Sequence, residues 1–95
     1  ARVYDEASIK RGEKLFKKHC QKCHGAEGKG NGELATALNI KPANLRTLPK
    51  DLSRTYILVQ IKEGKGNMPR WRDFLKGDEA KDLTNYIKEL SETAM

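Results

Sequence analysis

The 95-residue chain is poor in the residues that most often carry chemistry. It has two cysteines, two histidines, two methionines and one tryptophan, and aromatic residues make up only 6% of it. No apolar run approaches the roughly 20 residues that a membrane-spanning helix needs. The longest apolar cluster is Tyr56-Ile57-Leu58-Val59. Zinc-finger spacing, an aromatic RNA-binding signature and a tight arginine-rich run are all missing, so a nucleic-acid partner is not expected despite the basic charge. No repeat or low-complexity linker divides the chain, and no stretch reads as two strands joined by a hairpin turn. The two cysteines, Cys20 and Cys23, make a poor structural staple, because a disulfide across so short a loop restrains little of the unfolded chain. No signal peptide is visible. The chain starts at Ala1 without an initiator Met, which fits an exported product, an excised piece or simple Met removal.

The length suits one domain spanning residues 1–95. Hydrophobic residues are 37% and charged residues 34%, a lean core for a soluble globule. A bound, largely apolar cofactor would add to what that core buries. Nineteen Lys and Arg stand against thirteen Asp and Glu, leaving +6. Lysines dominate and are interspersed with acids, a pattern that suits steering towards acidic protein partners.

Three helical stretches are predicted. The first runs from Asp5 or Ser8 as N-cap to about Cys20, with Ile9, Gly12, Leu15, Phe16, His19 and Cys20 defining one face. Gly12 costs such a helix about 1 kcal/mol relative to Ala, which makes sense if another backbone crosses there. The second starts near Asp51 or Ser53 and ends at Glu63, stopped by Gly64 and Gly66, with Tyr56, Ile57, Val59 and Ile61 on its apolar side. The third opens after Gly77 with Asp78 as N-cap. Its Leu83, Tyr86, Ile87 and Leu90 fall at i, i+3, i+4 and i+7. Residues 25–50 read as long irregular chain with one short helical turn over 33–38, a connection long enough to be functional or wrapped around something. The fold class predicted is all-α with long loops.

Residues 20–24 read Cys-Gln-Lys-Cys-His, the C-x-x-C-H pattern of c-type haem attachment. Two cysteines about one helical turn apart can each add a thiol to one porphyrin vinyl group. The next residue, His24, then sits beneath the iron. A zinc site would need four ligands around one ion, whereas Cys20, Cys23, His19 and His24 crowd into six consecutive residues. A thioredoxin-like redox pair would need a strand leading into it, and none does.

Haem iron needs a sixth ligand or an open site. The candidates are Met68, Met95, His19 or a lysine. Met95 is terminal, where chains fray. His19 adjoins Cys20 and is tied to the His24 side of the haem, so it reads as a partly exposed helix residue. Met68 lies in Gly64-Lys65-Gly66-Asn67-Met68-Pro69, where glycines allow close approach and Pro69 favours an extended Met68. A gap-filling core methionine is the alternative.

These motifs, in this order, resemble the small bacterial class I c-type cytochromes. The resemblance rests on Gly12 with Phe16, Cys20-Gln-Lys-Cys23-His24, Pro42-Ala43-Asn44-Leu45, Met68-Pro69, and Leu83 with Tyr86. It implies a cytochrome c fold, with the N- and C-terminal helices crossing at Gly12, Phe16, Leu83 and Tyr86 and long loops wrapped around one covalently attached haem c. It also implies that the Pro42 carbonyl accepts a hydrogen bond from the ligating His24. Trp71 and Tyr56 are candidates for lining the haem pocket or bonding a propionate through their polar tips, with core packing as the alternative. Arg70 and Arg72 are candidate propionate partners.

The expected function is one-electron transfer through His24/Met68-ligated haem, with no enzymatic turnover. Lys17, Lys18, Lys22, Lys29, Lys65, Arg70 and Arg72 would steer acidic redox partners to a monomer. Maturation outside the cytoplasmic membrane implies a periplasmic location. Two other readings remain: a haem subunit or domain of a larger redox enzyme, and an open-site haem for gas sensing or catalysis.

Overall fold

A computed structural model describes residues 6–93. Asp5 and Met95, named above as a possible cap and a possible ligand, lie outside them. Five α-helices follow in order: α1 (Glu6–His19), α2 (Gln21–His24), α3 (Glu33–Leu38), α4 (Arg54–Glu63) and α5 (Gly77–Thr93). Short 3-10 turns at Leu45–Thr47 and Trp71–Asp73 sit in the loops. The described residues hold no strand, only an isolated bridge between Lys65 and Met68. The fold is all-α. No helix among the described residues is long and apolar enough to cross a membrane.

The helix limits follow local chemistry. Ser53 caps α4, its hydroxyl accepting from the Tyr56 N–H at 3.1 Å. Asn39 ends α3 in the left-handed conformation at φ 55°. α5 begins at Gly77, one residue ahead of the Asp78 cap predicted from sequence. There the Glu79 carboxylate reaches back to the Lys76 N–H at 2.8 Å, the backward half of a capping box, and moves the start upstream.

The core forms where α1 crosses α5. Phe16 and Leu83 are fully buried, and Tyr86, Ile87 and Leu90 are nearly so. The Phe16 and Tyr86 rings meet at 5.3 Å in a tilted arrangement. A Cβ on Gly12 would overlap the Asp82 carbonyl oxygen and come within 2.8 Å of the Tyr86 Cβ, so only glycine fits this crossing. Ile57 and Ile61 of α4, with Leu45 and Leu75 from the loops, complete the cluster. Tyr56 and Val59 do not join it: they are 52% and 46% exposed. At 100° per residue, burying Ile57 and Ile61 turns Tyr56 and Val59 aside.

Candidate functional site

The attachment motif begins where α1 ends. The Cys20 N–H donates to the Phe16 carbonyl at 2.8 Å, so the chain is still helical as it reaches the first cysteine. The His24 N–H then bonds the Cys20 carbonyl at 3.0 Å. Cys20, Cys23 and His24 thereby stand at i, i+3 and i+4 on one side of a single turn. Both thiols are free rather than joined in a disulfide. Burial pushes the Cys20 thiol up to about 12, with the neighbouring Cys23 adding to the effect, so it stays protonated at neutral pH.

Met68 comes from a separate segment. α4 stops at Gly64, whose φ of 69° is natural only for glycine and where a Cβ would come within 2.7 Å of the Pro69 carbonyl. Lys65 and Met68 then exchange backbone hydrogen bonds at 3.1 and 2.9 Å, closing a tight turn that holds Met68 at its end.

Both segments face one cavity of about 310 Å³. Cys20, Cys23, His24, Met68, Pro42 and Trp71 all line it, with Ile40, Pro69 and Ala43 among its other walls. Tyr56 is not part of the lining. The residue of α4 that reaches the cavity is Gln60, one turn further on, and Tyr56 stays half exposed. His19, expected as a partly exposed helix residue, also lines the cavity, and its ring meets that of Trp71 at a tilt with centroids 5.1 Å apart. Its position beside Cys20 is the only sequence signal for that. Ile40, Lys41, Gln60 and Asn67 carried no signal.

The histidine bond differs from the one the resemblance implies. His24 Nδ1 lies 3.0 Å from the Ala43 carbonyl oxygen, one residue beyond Pro42. The Pro42 carbonyl points instead at Gly30, where a Cβ would meet it at 2.6 Å. With Nδ1–H donating to Ala43, Nε2 is the nitrogen left with a lone pair. Burial lowers the His24 pKa, and the Ala43 carbonyl opposes that only in part. The imidazole is therefore neutral and able to bind a metal at neutral pH.

The surrounding charges are partly engaged. Arg72 pairs with Glu63 at 3.2 Å, Lys29 with Glu27 at 3.2 Å and Lys17 with Glu13 at 4.0 Å. Lys41 and Lys65 stand in the cavity wall.

The donor set tests what this cavity fits. Among the described residues, no group of three or more His, Cys, Asp or Glu is placed to hold a bare metal ion. A metal bound here must bring most of its ligands with it, as a porphyrin iron does. The mostly apolar walls, the paired free thiols and the available imidazole nitrogen of His24 suit that group. The fold and this cavity define a c-type cytochrome. Comparison with known proteins agrees: residues 7–87 match the family described as cytochrome c oxidase, cbb3-type, subunit III, and the chain belongs to this family of cytochrome c domains.

It is 36% identical to cytochrome c6 of Cladophora glomerata over 76 residues, covering 80% of this chain and 81% of that protein. It is 35% identical to the cytochrome bc1 complex cytochrome c subunit of Corynebacterium diphtheriae over 94 residues, covering 94% of this chain and 30% of that one. Among solved structures, the Kuenenia stuttgartiensis reducing HAO-like protein complex Kustc0457/Kustc0458 superposes with a TM-score of 0.78 at 31% identity, covering 90% of this chain and 44% of its own. The chain thus spans under half of the two longer proteins and most of the cytochrome c6.

Proposed function

We propose that this chain is a one-electron carrier for a single haem c, whose iron His24 and Met68 would ligate, with no enzymatic turnover of its own. The observation that carries the reading is the convergence of Cys20, Cys23, His24 and Met68, from two separate segments, on one cavity. Bound there, a c-type haem supplies a ferric/ferrous couple. Cys20 and Cys23 are the residues that would hold it, each through one thioether. His24 offers Nε2, and the Ala43 carbonyl keeps the imidazole in the tautomer and orientation that do so. The Lys65–Met68 turn holds Met68 at the cavity, where its sulfur would serve as a ligand that favours ferrous iron and raises the potential. Ile40, Pro42, Pro69 and Trp71 give the site apolar walls. With His24 and Met68 both ligating, the iron would have no position left for a substrate.

The +6 charge supports acidic redox partners for a monomeric, periplasmic protein. A second reading, a haem domain within a longer redox protein, is favoured by the match to only 30% of the bc1 subunit.

The test is an optical spectrum of the oxidised and reduced holoprotein beside Met68→Ala. The expected result is a weak near-infrared band of ferric iron–thioether ligation, lost in the variant. Absence of that band in the wild type, or rapid carbon monoxide binding to its reduced form, removes Met68 from the iron and favours an open site.

A further inference from the structure

The bond that orients His24 depends on a carbonyl in irregular chain. Ala43 stands in no helix or strand, and its own side chain is exposed. Other residues must aim its oxygen at Nδ1. The Ala43 carbonyl and the Asn44 N–H belong to one planar peptide unit, so whatever fixes the Asn44 backbone fixes the direction of that oxygen. Asn44 is held at φ −80° and ψ 107° as the cap of the 3-10 turn Leu45–Thr47. Its Oδ1 accepts from the Arg46 N–H at 3.0 Å. Its carbonyl accepts from the Thr47 N–H at 3.2 Å and from the Thr47 hydroxyl at 3.1 Å. A side-chain bond to the backbone two residues on is how asparagine stiffens a turn that no ladder supports.

The stiffened turn is pinned to the chain that follows His24. The Leu45 N–H donates to the Gly28 carbonyl at 2.6 Å, and Arg46 Nε donates to the Glu27 carbonyl at 2.7 Å. The Leu45 side chain is buried in the core. The segment that receives these bonds is itself tied to the histidine. The Gly30 N–H donates to the His24 carbonyl at 2.7 Å, and the Gly28 N–H donates to the Gly25 carbonyl at 3.1 Å. The bonds close a ring, from His24 through residues 25–30 to Leu45, Asn44 and Ala43 and back to the His24 imidazole. Asn44 and Arg46 hold that ring from outside the cavity, since neither lines it.

We propose that Asn44 and Arg46 are positioning residues for the iron ligand His24. Asn44 aims the Ala43 carbonyl, and Arg46 holds the turn against the 25–30 segment. The proposal rests on the carrier reading above, in which His24 ligates haem iron. An Nδ1–H that donates to a fixed carbonyl makes its imidazole a stronger donor. A stronger donor favours ferric iron, so a carbonyl that is no longer held in place frees the ring N–H and raises the potential.

The test compares holoproteins: wild type, Asn44→Ala, Asn44→Ser, Arg46→Met and, as a control, Ser53→Ala, which removes a cap of the same kind from α4. Exchange of the His24 Nδ1–H is read by NMR in the reduced state, and the potential by equilibrium redox titration. Asn44→Ala is expected to exchange that proton faster, on the order of tenfold, and to have a higher potential. Asn44→Ser, whose hydroxyl can accept the same Arg46 N–H, returns both towards wild type. Arg46→Met keeps the stem and loses the donor. It also loses a charge that bears on the potential, so exchange alone is read, and the same acceleration is expected. Ser53→Ala loses stability but keeps wild-type exchange and potential. Wild-type exchange and potential in Asn44→Ala, or equal changes in Ser53→Ala, overturn the proposal. If Asn44→Ala does not fold, Arg46→Met decides, and exchange as slow as in wild type overturns it. Absence of any reversible one-electron couple from the wild type defeats the carrier reading itself. An intact couple with wild-type exchange in both variants defeats only the positioning role.

Discussion

His24 Nδ1 sits 3.0 Å from the carbonyl oxygen of Ala43, while the carbonyl of Pro42 is turned towards Gly30. The side chain that best marks this loop in the sequence is thus not the residue whose backbone orients the imidazole. Pro42→Ala is expected to keep the His24 ring N–H in place, seen as a slowly exchanging Nδ1–H resonance in the reduced holoprotein. Its cost is limited to about 0.4–1 kcal/mol of stability through the freer unfolded chain. Rapid exchange of that proton in the variant contradicts the assignment.

Gly12 decides how closely α1 and α5 approach. Alanine gains about 1 kcal/mol of helix propensity there, but its Cβ meets the Asp82 carbonyl, a backbone atom that cannot swing aside. Overpacking wins: Gly12→Ala loses about 1–3 kcal/mol. Each kcal/mol lowers the melting temperature by about 4–8 °C in a domain of this size. Thermal unfolding followed by far-ultraviolet circular dichroism gives the answer, and an unchanged midpoint rules out the tight crossing.

Asp82 ties the same two helices together through polar groups. It accepts from the Ser8 hydroxyl at 2.6 Å and from Arg11 Nε at 2.9 Å. Burial alone would raise its pKa, but the hydrogen bonds from Arg11 and Ser8 and the Arg11 charge outweigh this and hold it below the ordinary 3.8. A carboxylate depressed in the folded state stabilises fully above its unfolded pKa and loses that contribution as pH falls through the folded value. The stabilisation is therefore complete at neutral pH and fades below about pH 4. Arg11 is largely exposed, so solvent screens its share and the loss stays near about 1 kcal/mol. Asp82→Asn should be less stable than wild type at pH 7, with the gap closing towards pH 2–3 in denaturant titrations. A gap independent of pH excludes the carboxylate as its source.

Much of this architecture is legible from residue order. The stripe of Leu83, Tyr86, Ile87 and Leu90 is buried as its 3.6-residue period demands, and Gly12 marks the crossing because no other residue explains a helix-breaking choice at that point. The short helix at Glu33–Leu38 and the Ser53 cap also follow from local chemistry. What escapes the sequence depends on orientation. Tyr56 and Ile57 are adjacent and both apolar, and in a helix of only ten residues periodicity does not say which one turns inward. The choice between the Pro42 and Ala43 carbonyls rests on loop dihedrals that no side chain reports. Gln60 and Phe74 are likewise placed by packing around them, Gln60 inward and Phe74 outward.

The thiols offer the most direct check of the attachment site. Cys20 and Cys23 lie one helical turn apart, both free and both on the cavity wall. Each is expected to carry one thioether, so either single replacement by Ala leaves the haem covalently held through the other sulfur. The double variant Cys20→Ala/Cys23→Ala leaves only His24 and Met68 to retain it. Acidified organic solvent protonates the imidazole and disrupts the fold that presents both ligands. Extraction should then remove haem from the double variant and leave it on the wild type and both single variants. Intact mass spectrometry reads the same outcome as the presence or absence of a haem-sized increment on the chain. Haem extracted from the wild type, or retained covalently by the double variant, places the attachment elsewhere than the 20–24 turn.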